Sequence, residues 1–455
     1  MAATISVCFG RRTRPPSKGR RLVAAAAGQV ARWARRHCFS LPKRQRAPAS
    51  AVTEQLDSHG DNDRDCWSGL PEDLLLKAMA LMEVTDVVCA GAVCSSWRSA
   101  YAEFRRLRLP AKPNPPPCLM HANASKDYKL NNADGAATIY SPSTGATFPC
   151  GGGGNGFVTG VSAHGWVFVA DVATANPCLL NPLTGAQAAL PAVATLARVK
   201  GTFFDDDGTA VYDVDHAFGD AAPDMQLVMA QTVGNWMFRH VAISAAGVVV
   251  LAHMPHGEAS YVRPGDERWT SLSSQLEPDA IAVVHNDDDG LFYVLCEGGG
   301  ILFAVVVDGP AAPTAWPMSY LHTHYLVLRG GELLLVTRQL RLTRPREGEK
   351  VVSTTGICIE KVGLGRTKLV TQAGIGEDYA LFLGYGSPIC LPVKEYPMLR
   401  CNCAYLADDS EQHFPLITRG DVGIWDFESK SMSRFEDLHP WLDNQPPIWI
   451  TPSLY

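Results

Sequence analysis

A chain of 455 residues is too long for one small core and long enough for a large domain with appendages. Its 40 Gly and 31 Pro favour a turn-rich globular protein over a helical bundle. The net charge of −6 excludes a chain that binds nucleic acid as a whole, and no apolar stretch nears the ~18 residues of a membrane span, so neither nucleic acid nor membrane is an expected partner.

Residues 1–65 have no sustained periodicity and read as a disordered basic arm. No acidic residue precedes Glu54, whereas twelve basic ones do, from Arg11 to Arg46. The remainder then holds 28 basic against 46 acidic residues, a net −18. "RRTRPPSKGRR" and "RRHCFSLPKRQR" have the look of nuclear-import clusters, and the same acid-free, Arg-rich stretch suits an organelle transit peptide or a plain tail. The expected location is nucleus or cytoplasm, or an organelle if the arm is a transit peptide.

Residues 66–109 are helical by pattern. Pro71 suits a first helical turn, where its missing N–H is no loss, and Glu72 and Asp73 sit at the positive end of the helix dipole. Leu74, Ala78, Leu81 and Met82 form an apolar stripe, and Thr85 is the expected N-cap of a second helix. So short a segment carries more apolar surface than it needs for itself, and a partner surface is expected. "PAKPNPPP" within 110–118 cannot continue a helix and marks a linker.

After it the period changes to alternation. "GWVFVAD", "GVVVLAH", "GLFYVLCE" and "GELLLVTR" read as strands. "SPSTGATFP" at 141–149 returns as "NPLTGAQAALP" at 181–191, with Pro142 and Pro182 forty residues apart. Gly165, Gly208, Gly247, Gly290, Gly331, Gly376 and Gly423 open or closely precede apolar strands at steps of 39 to 47 residues. "DDDG" at 205–208 and 287–290 reads as a hairpin turn, since the Glu of a calcium loop is missing from both. The fold class is therefore mainly β: short helices, then a β-propeller of about seven blades over 119–440, with 441–455 as a tail or closing segment; two packed β-sandwiches or a smaller propeller with irregular blades are the alternatives.

Sites of chemistry are sparse. The thirteen Cys include no CxxC, and Cys401-x-Cys403 is too thin for zinc, so buried free thiols are expected. "CGGGGNG" at 150–156 has neither the Lys-Ser/Thr of a P-loop nor the G-x-G-x-x-G register. His322 and His324 read as structural, and the sequon at Asn123 as unused. No cofactor or metal is expected, and no enzyme.

The stretch "LPEDLLLKAMALMEVTDVVCAGAVCSSWRSAY" resembles the F-box. Ala78 departs from that pattern where a larger aliphatic is usual, as do Ser95 and Ser96 where Lys or Arg is frequent. Downstream, Leu381-Phe382-Leu383-Gly384, Asn402-Cys403-Ala404-Tyr405 and Gly423-Ile424-Trp425-Asp426 resemble plant F-box proteins carrying a KIB-type β-propeller. The resemblance implies a non-catalytic substrate receptor of an SCF-type ubiquitin ligase, with a Skp-type adaptor and, through it, a cullin as partners. It implies Leu70, Pro71, Leu74, Leu75, Val93, Cys94 and Trp97 as the adaptor-facing or interface-supporting set, Trp97 being most anchor-like, with Arg98 at the rim. The propeller would bind the target, with Trp236, Trp269, Trp316, Trp425, Trp441 and Trp449 as anchors or blade-core residues. The alternative is a propeller interaction protein outside the ligase, directed to an organelle by its arm.

Overall fold

The computed structural model describes residues 69–111, 116–121, 138–142, 146–150, 156–217, 222–272, 280–296, 301–305, 312–315, 322–343, 351–362, 370–384, 388–407, 421–435 and 447–455. The basic arm, the sequon at Asn123, residues 112–115 of the Pro-rich linker, glycines 151–154, Trp316 and Trp441 lie outside them. The chain divides into two compact units, one ending at Pro115 and the other beginning at Pro116.

The described residues of the first unit form three helices: α1 (Glu72–Met79), α2 (Val84–Gly91) and α3 (Ser95–Arg106). Pro71 stands at the N-cap of α1, where its carbonyl accepts hydrogen bonds from the backbone N–H of Leu74 (3.0 Å) and Leu75 (3.1 Å). Glu72 and Asp73 occupy the first turn, and Asp73 pairs with Lys77 one turn on at 3.2 Å. Helix α2 starts two residues earlier than Thr85 as its N-cap would place it. Glu83 is the N-cap, and Thr85 is buried inside the helix because it faces the packed side of the unit.

The described residues of the second unit form seven sheets. The first joins β1 (Cys118–His121), β2 (Thr138–Ser141) and β3 (Ala146–Pro149) to the last strand of the chain, β28 (Ile448–Ile450). The second runs from β4 (Gly156–Ala163) through β5 (Trp166–Asp171) and β6 (Pro177–Leu180) to β7 (Gln187–Ala189). The third has only β8 (Val199–Phe204), β9 (Ala210–Asp215) and β10 (Met225–Met229). Four-stranded sheets then open with β11 (Phe238–Ile243), β15 (Ala280–Asn286) and β19 (His322–Arg329). The seventh has five strands, and in it β23 (Tyr379–Leu383) lies parallel to β25 (Cys403–Leu406) with β24 (Ile389–Pro392) at one edge.

The repeat read from the sequence marks equivalent places in these sheets. Both Pro-x-Thr-Gly-Ala segments join the third strand of a sheet to its fourth, β2 to β3 and β6 to β7. In the better-described of the two, the Asn181 side-chain oxygen accepts from the N–H groups of Leu183 and Thr184 at 3.0 and 3.1 Å, which locks the turn. Six of the seven spaced glycines have φ between +73° and +99°, and five of these sit between the first and second strands of consecutive sheets. Both "DDDG" turns are among them, with Gly208 and Gly290 in the left-handed region. Gly423 differs, since it lies within a strand where a side chain would strike the Ser433 carbonyl.

Sheets touch in sequence around a ring. β28 lies against β4, β4 against β11, β11 against β15, β15 against β19, and β19 against β24. The ring closes between the seventh and first sheets, where the Trp449 indole N–H donates to the Leu383 carbonyl at 3.0 Å and Phe382 meets the indole edge-on at 4.9 Å. Seven is thus the number of sheets, but six supply the strands that hand the ring on. Between β4 and β11 a helix, α4 (Ala230–Trp236), touches both strands, and the third sheet packs one face on the core around it. The last residues reinforce closure: β28 pairs with β1, Leu119 opposite Trp449, and the Asn181 side chain donates to the Ser453 carbonyl at 3.1 Å.

Two buried polar groups of the second unit are held by interior partners. Arg338, Thr354 and Asp421 interact within the interior, Arg338 donating to the Thr354 hydroxyl at 2.9 Å and lying 3.9 Å from the Asp421 carboxylate. Arg434 donates to the other Asp421 oxygen at 3.1 Å. His253 is wholly buried between the Met254 carbonyl (3.2 Å) and the Ser260 hydroxyl (2.9 Å). A carbonyl only accepts, so Nδ1 carries the proton and Nε2 accepts from Ser260.

Two expectations follow. Trp449→Ala removes a buried indole at the closure, and a loss of about 3–5 kcal/mol is expected in chemical denaturation of the second unit. Burial holds the His253 and His285 imidazoles below their ordinary pKa. Below about pH 6.5 the unfolded chain therefore takes up protons that the folded chain refuses, and stability falls as pH is lowered through that value. Urea midpoints measured from about pH 7 to pH 5 should fall, and less steeply in His253→Gln.

Candidate functional site

Helix α1 is apolar at Leu74, Leu75 and Leu76 in succession, so its sequence permits more than one buried face. Packing against α3 selects Leu75, Ala78, Met79 and Met82, spaced i, i+3, i+4, i+7. The stripe read from the sequence is corrected accordingly: Leu74 is 39% and Leu81 48% exposed. Ala78 points into the unit, so its small size affects internal packing and not an outer contact.

The residues singled out for docking divide by position. Pro71, Leu74 and Arg98 are exposed, and Leu70, Val93 and Cys94 are half-buried. Leu75 and Trp97 are 1% exposed and belong to the core of the unit. Trp97 thus supports the helices from within, on the side of α3 where Ala100 and Phe104 are also buried. Gly91, the last residue of α2, is where α2 and α3 come closest: a Cβ placed there would lie 2.7–3.0 Å from the Tyr101 side chain. Leu81, read from the sequence only as part of the inner stripe, and Leu107, not singled out at all, are exposed as well.

In the second unit the described tryptophans are mostly structural. Trp269 donates to the Pro191 carbonyl at 3.0 Å, Trp425 is buried, Trp449 closes the ring, and Trp236 stacks half-buried on His216 at 5.3 Å. The exposed apolar side chains lie elsewhere, chiefly on the third sheet. Their segments, "VKGTFF" and "MQLVM", look in sequence like any buried strand.

Among the described residues no group of three or more His, Cys, Asp or Glu is arranged to hold a metal ion. Burial pushes the Cys403 thiol up to about 11, against the thiolate that a metal needs, and Cys401 is exposed beside Glu377. His324 bonds the Thr337 hydroxyl at 3.1 Å across a strand pair.

Family comparison matches residues 67–100 to the F-box domain and residues 145–426 to the KIB1-4 beta-propeller. The chain belongs to the KIB1-4 β-propeller family. An F-box/kelch-repeat protein of Arabidopsis thaliana is 25% identical over 240 residues, 52% of this chain and 55% of that protein, so the chain spans about half the length of this curated relative. Among solved structures, virginiamycin B lyase from Staphylococcus aureus matches 54% of this chain and 91% of its own at 9% identity and a TM-score of 0.26. Dihydro-heme d1 dehydrogenase matches 70% and 53% at 12% identity and a TM-score of 0.29. Likenesses that weak carry no argument about this chain. An F-box followed by a KIB1-4 propeller is an architecture typical of non-catalytic adaptor subunits.

The F-box match ends within α3, while the helix continues to Arg106, where Arg105 and Arg106 occupy the last turn. The contact between Gly91 and Tyr101 lies at the edge of the match and should govern the integrity of the F-box. Gly91→Val is expected to destabilise the helical unit by about 1–3 kcal/mol through overpacking, leaving the propeller's unfolding midpoint unchanged, as read by hydrogen exchange resolved along the chain.

Proposed function

We propose that this chain is the substrate-recognition subunit of a Skp-cullin-F-box ubiquitin ligase. Its F-box docks a Skp-type adaptor and through it a cullin, and its propeller holds the protein to be ubiquitinated. The observation that carries this reading is the F-box match on a helical unit that keeps Pro71, Leu74 and Leu81 exposed after filling its own core. Such a surface suits insertion into an apolar groove of a partner, with Leu75 and Trp97 fixing the helices behind it.

The chain makes and breaks no bond in this scheme. It contributes by holding a target lysine near the activated ubiquitin, which raises their effective concentration. Arg98, exposed on the first turn of α3, provides a charged contact at the rim.

Leu70→Ala combined with Pro71→Ala should abolish co-purification of adaptor and cullin while leaving the propeller's denaturation midpoint in place. Undiminished adaptor binding by that double variant would refute the assignment. A propeller working outside the ligase would recover neither partner even from the wild-type chain.

A further inference from the structure

The third sheet is built unlike the other six. It has three strands where they have four or five, and among the described residues β10 has β9 as its one strand neighbour. Among the described residues seven large apolar side chains of the second unit stand exposed, and five belong to this sheet: Phe203, Phe204, Met225, Leu227 and Met229. Leu227 is 70% exposed, more than any other of them.

The register shows that most of these share a face. Met229, Val211 and Phe203 lie side by side across the three strands, and the next row is Leu227, Asp213 and Gly201. Residues two apart along a strand project to the same side, so the two rows form one surface. On the opposite face Ala210, Tyr212 and Val214 of the central strand are buried in the core, while Phe204 at the end of β8 is exposed. Gly201 contributes no side chain, and the Phe203 ring leans over it. Asp213 therefore stands in the middle of an apolar field, and among the described residues no hydrogen bond or ion pair holds its carboxylate.

The surroundings are acidic as well. Asp205, Asp206 and Asp207 form the turn beyond Phe204, and exposed Asp224 precedes Met225. The one lysine of the sheet, Lys200, is turned to the Ala197 carbonyl at 2.7 Å. Proteins ordinarily blunt a sheet edge with lysine, proline or a covering element. The β10 sequence, "MQLVM", contains neither residue.

We infer that β10 receives a fourth strand from the target protein: an extended segment with apolar residues at alternate positions and a Lys or Arg between them. This rests on the propeller being the target receptor. A strand added beside β10 lies ~4.8 Å away and places every second side chain on the exposed face. The residue opposite Leu227 is the basic one, its stem crossing the leucine and its charge reaching Asp213. The residues two places to either side lie opposite Met225 and Met229, whose flexible thioethers suit varied apolar partners. Backbone hydrogen bonds supply affinity, and the pattern apolar-x-Lys/Arg-x-apolar supplies selection.

The test is selection of a random phage-displayed peptide library on the immobilised full chain, followed by affinity measurement with the enriched peptides. Enrichment of that pattern is expected, with binding at least about tenfold weaker in Leu227→Glu and a preference moved from Lys to Glu at the central position in Asp213→Lys. Both substitutions are on an exposed face, and unchanged thermal unfolding confirms that they fold. Three results would overturn the inference: no enriched pattern, peptide binding that survives Leu227→Glu, or a wild-type dimer that Leu227→Glu converts to monomer, which would make a second copy the occupant. Peptide binding that appears only after deletion of residues 1–53 would also overturn it, because the basic arm would then be the occupant. Adaptor recovery by Leu227→Glu is read alongside. Its retention with loss of peptide separates this surface from the F-box, and its absence in wild type would count against the ligase reading alone.

Discussion

A circular stack of sheets has nothing to end on unless its last strand meets its first. Here the three residues of β28 pair with β1, and Trp449 reaches from that strand to the carbonyl of Leu383 in the neighbouring sheet. The short strand thus satisfies an edge of the first sheet and the gap between first and seventh at once. Each of the other contacts around the ring, from β4 to β24, presupposes that closure, because an open stack would expose apolar faces at both ends. Asn181 belongs to the same device: its side chain shapes a turn of the second sheet and also holds the carbonyl of Ser453.

Within the closed ring the third sheet is the exception. Helix α4 touches both β4 and β11, so the neighbouring sheets meet without a strand from the third. That sheet is then free to keep one face on the core and turn the other outward. A scaffold held rigid elsewhere can carry such a face without losing stability, and binding surfaces are commonly placed on this kind of support.

The helical unit solves a different problem. Three short helices enclose a small core of Leu75, Met79, Val87, Trp97 and Phe104, and they have more apolar residues than that core accepts. Leu74 and Leu81 are left outside. Surplus of this kind is common in small modules that work against a partner. Among the described residues the propeller buries Trp269, Trp425 and Trp449 and exposes methionines, leucine and phenylalanine instead.

Much of this could be read from local pattern. The Leu-Pro start with acidic residues after it, the Pro-rich break, and glycines at a spacing of about forty residues all act through backbone rules that hold wherever the chain goes, and six of those seven glycines adopt the left-handed conformation. Which leucine of α1 turns inward could not be read, since Leu74 and Leu75 are alike in sequence and only packing on α3 distinguishes them. For the same reason "MQLVM" looked like any core strand: burial depends on what lies across from it, and that was decided when α4 took the place between β4 and β11. Local sequence determined where strands, turns and helices begin, because those depend on near neighbours. Tertiary structure decided which faces remain for other proteins, because exposure is a property of the neighbours that distant parts of the chain supply or fail to supply.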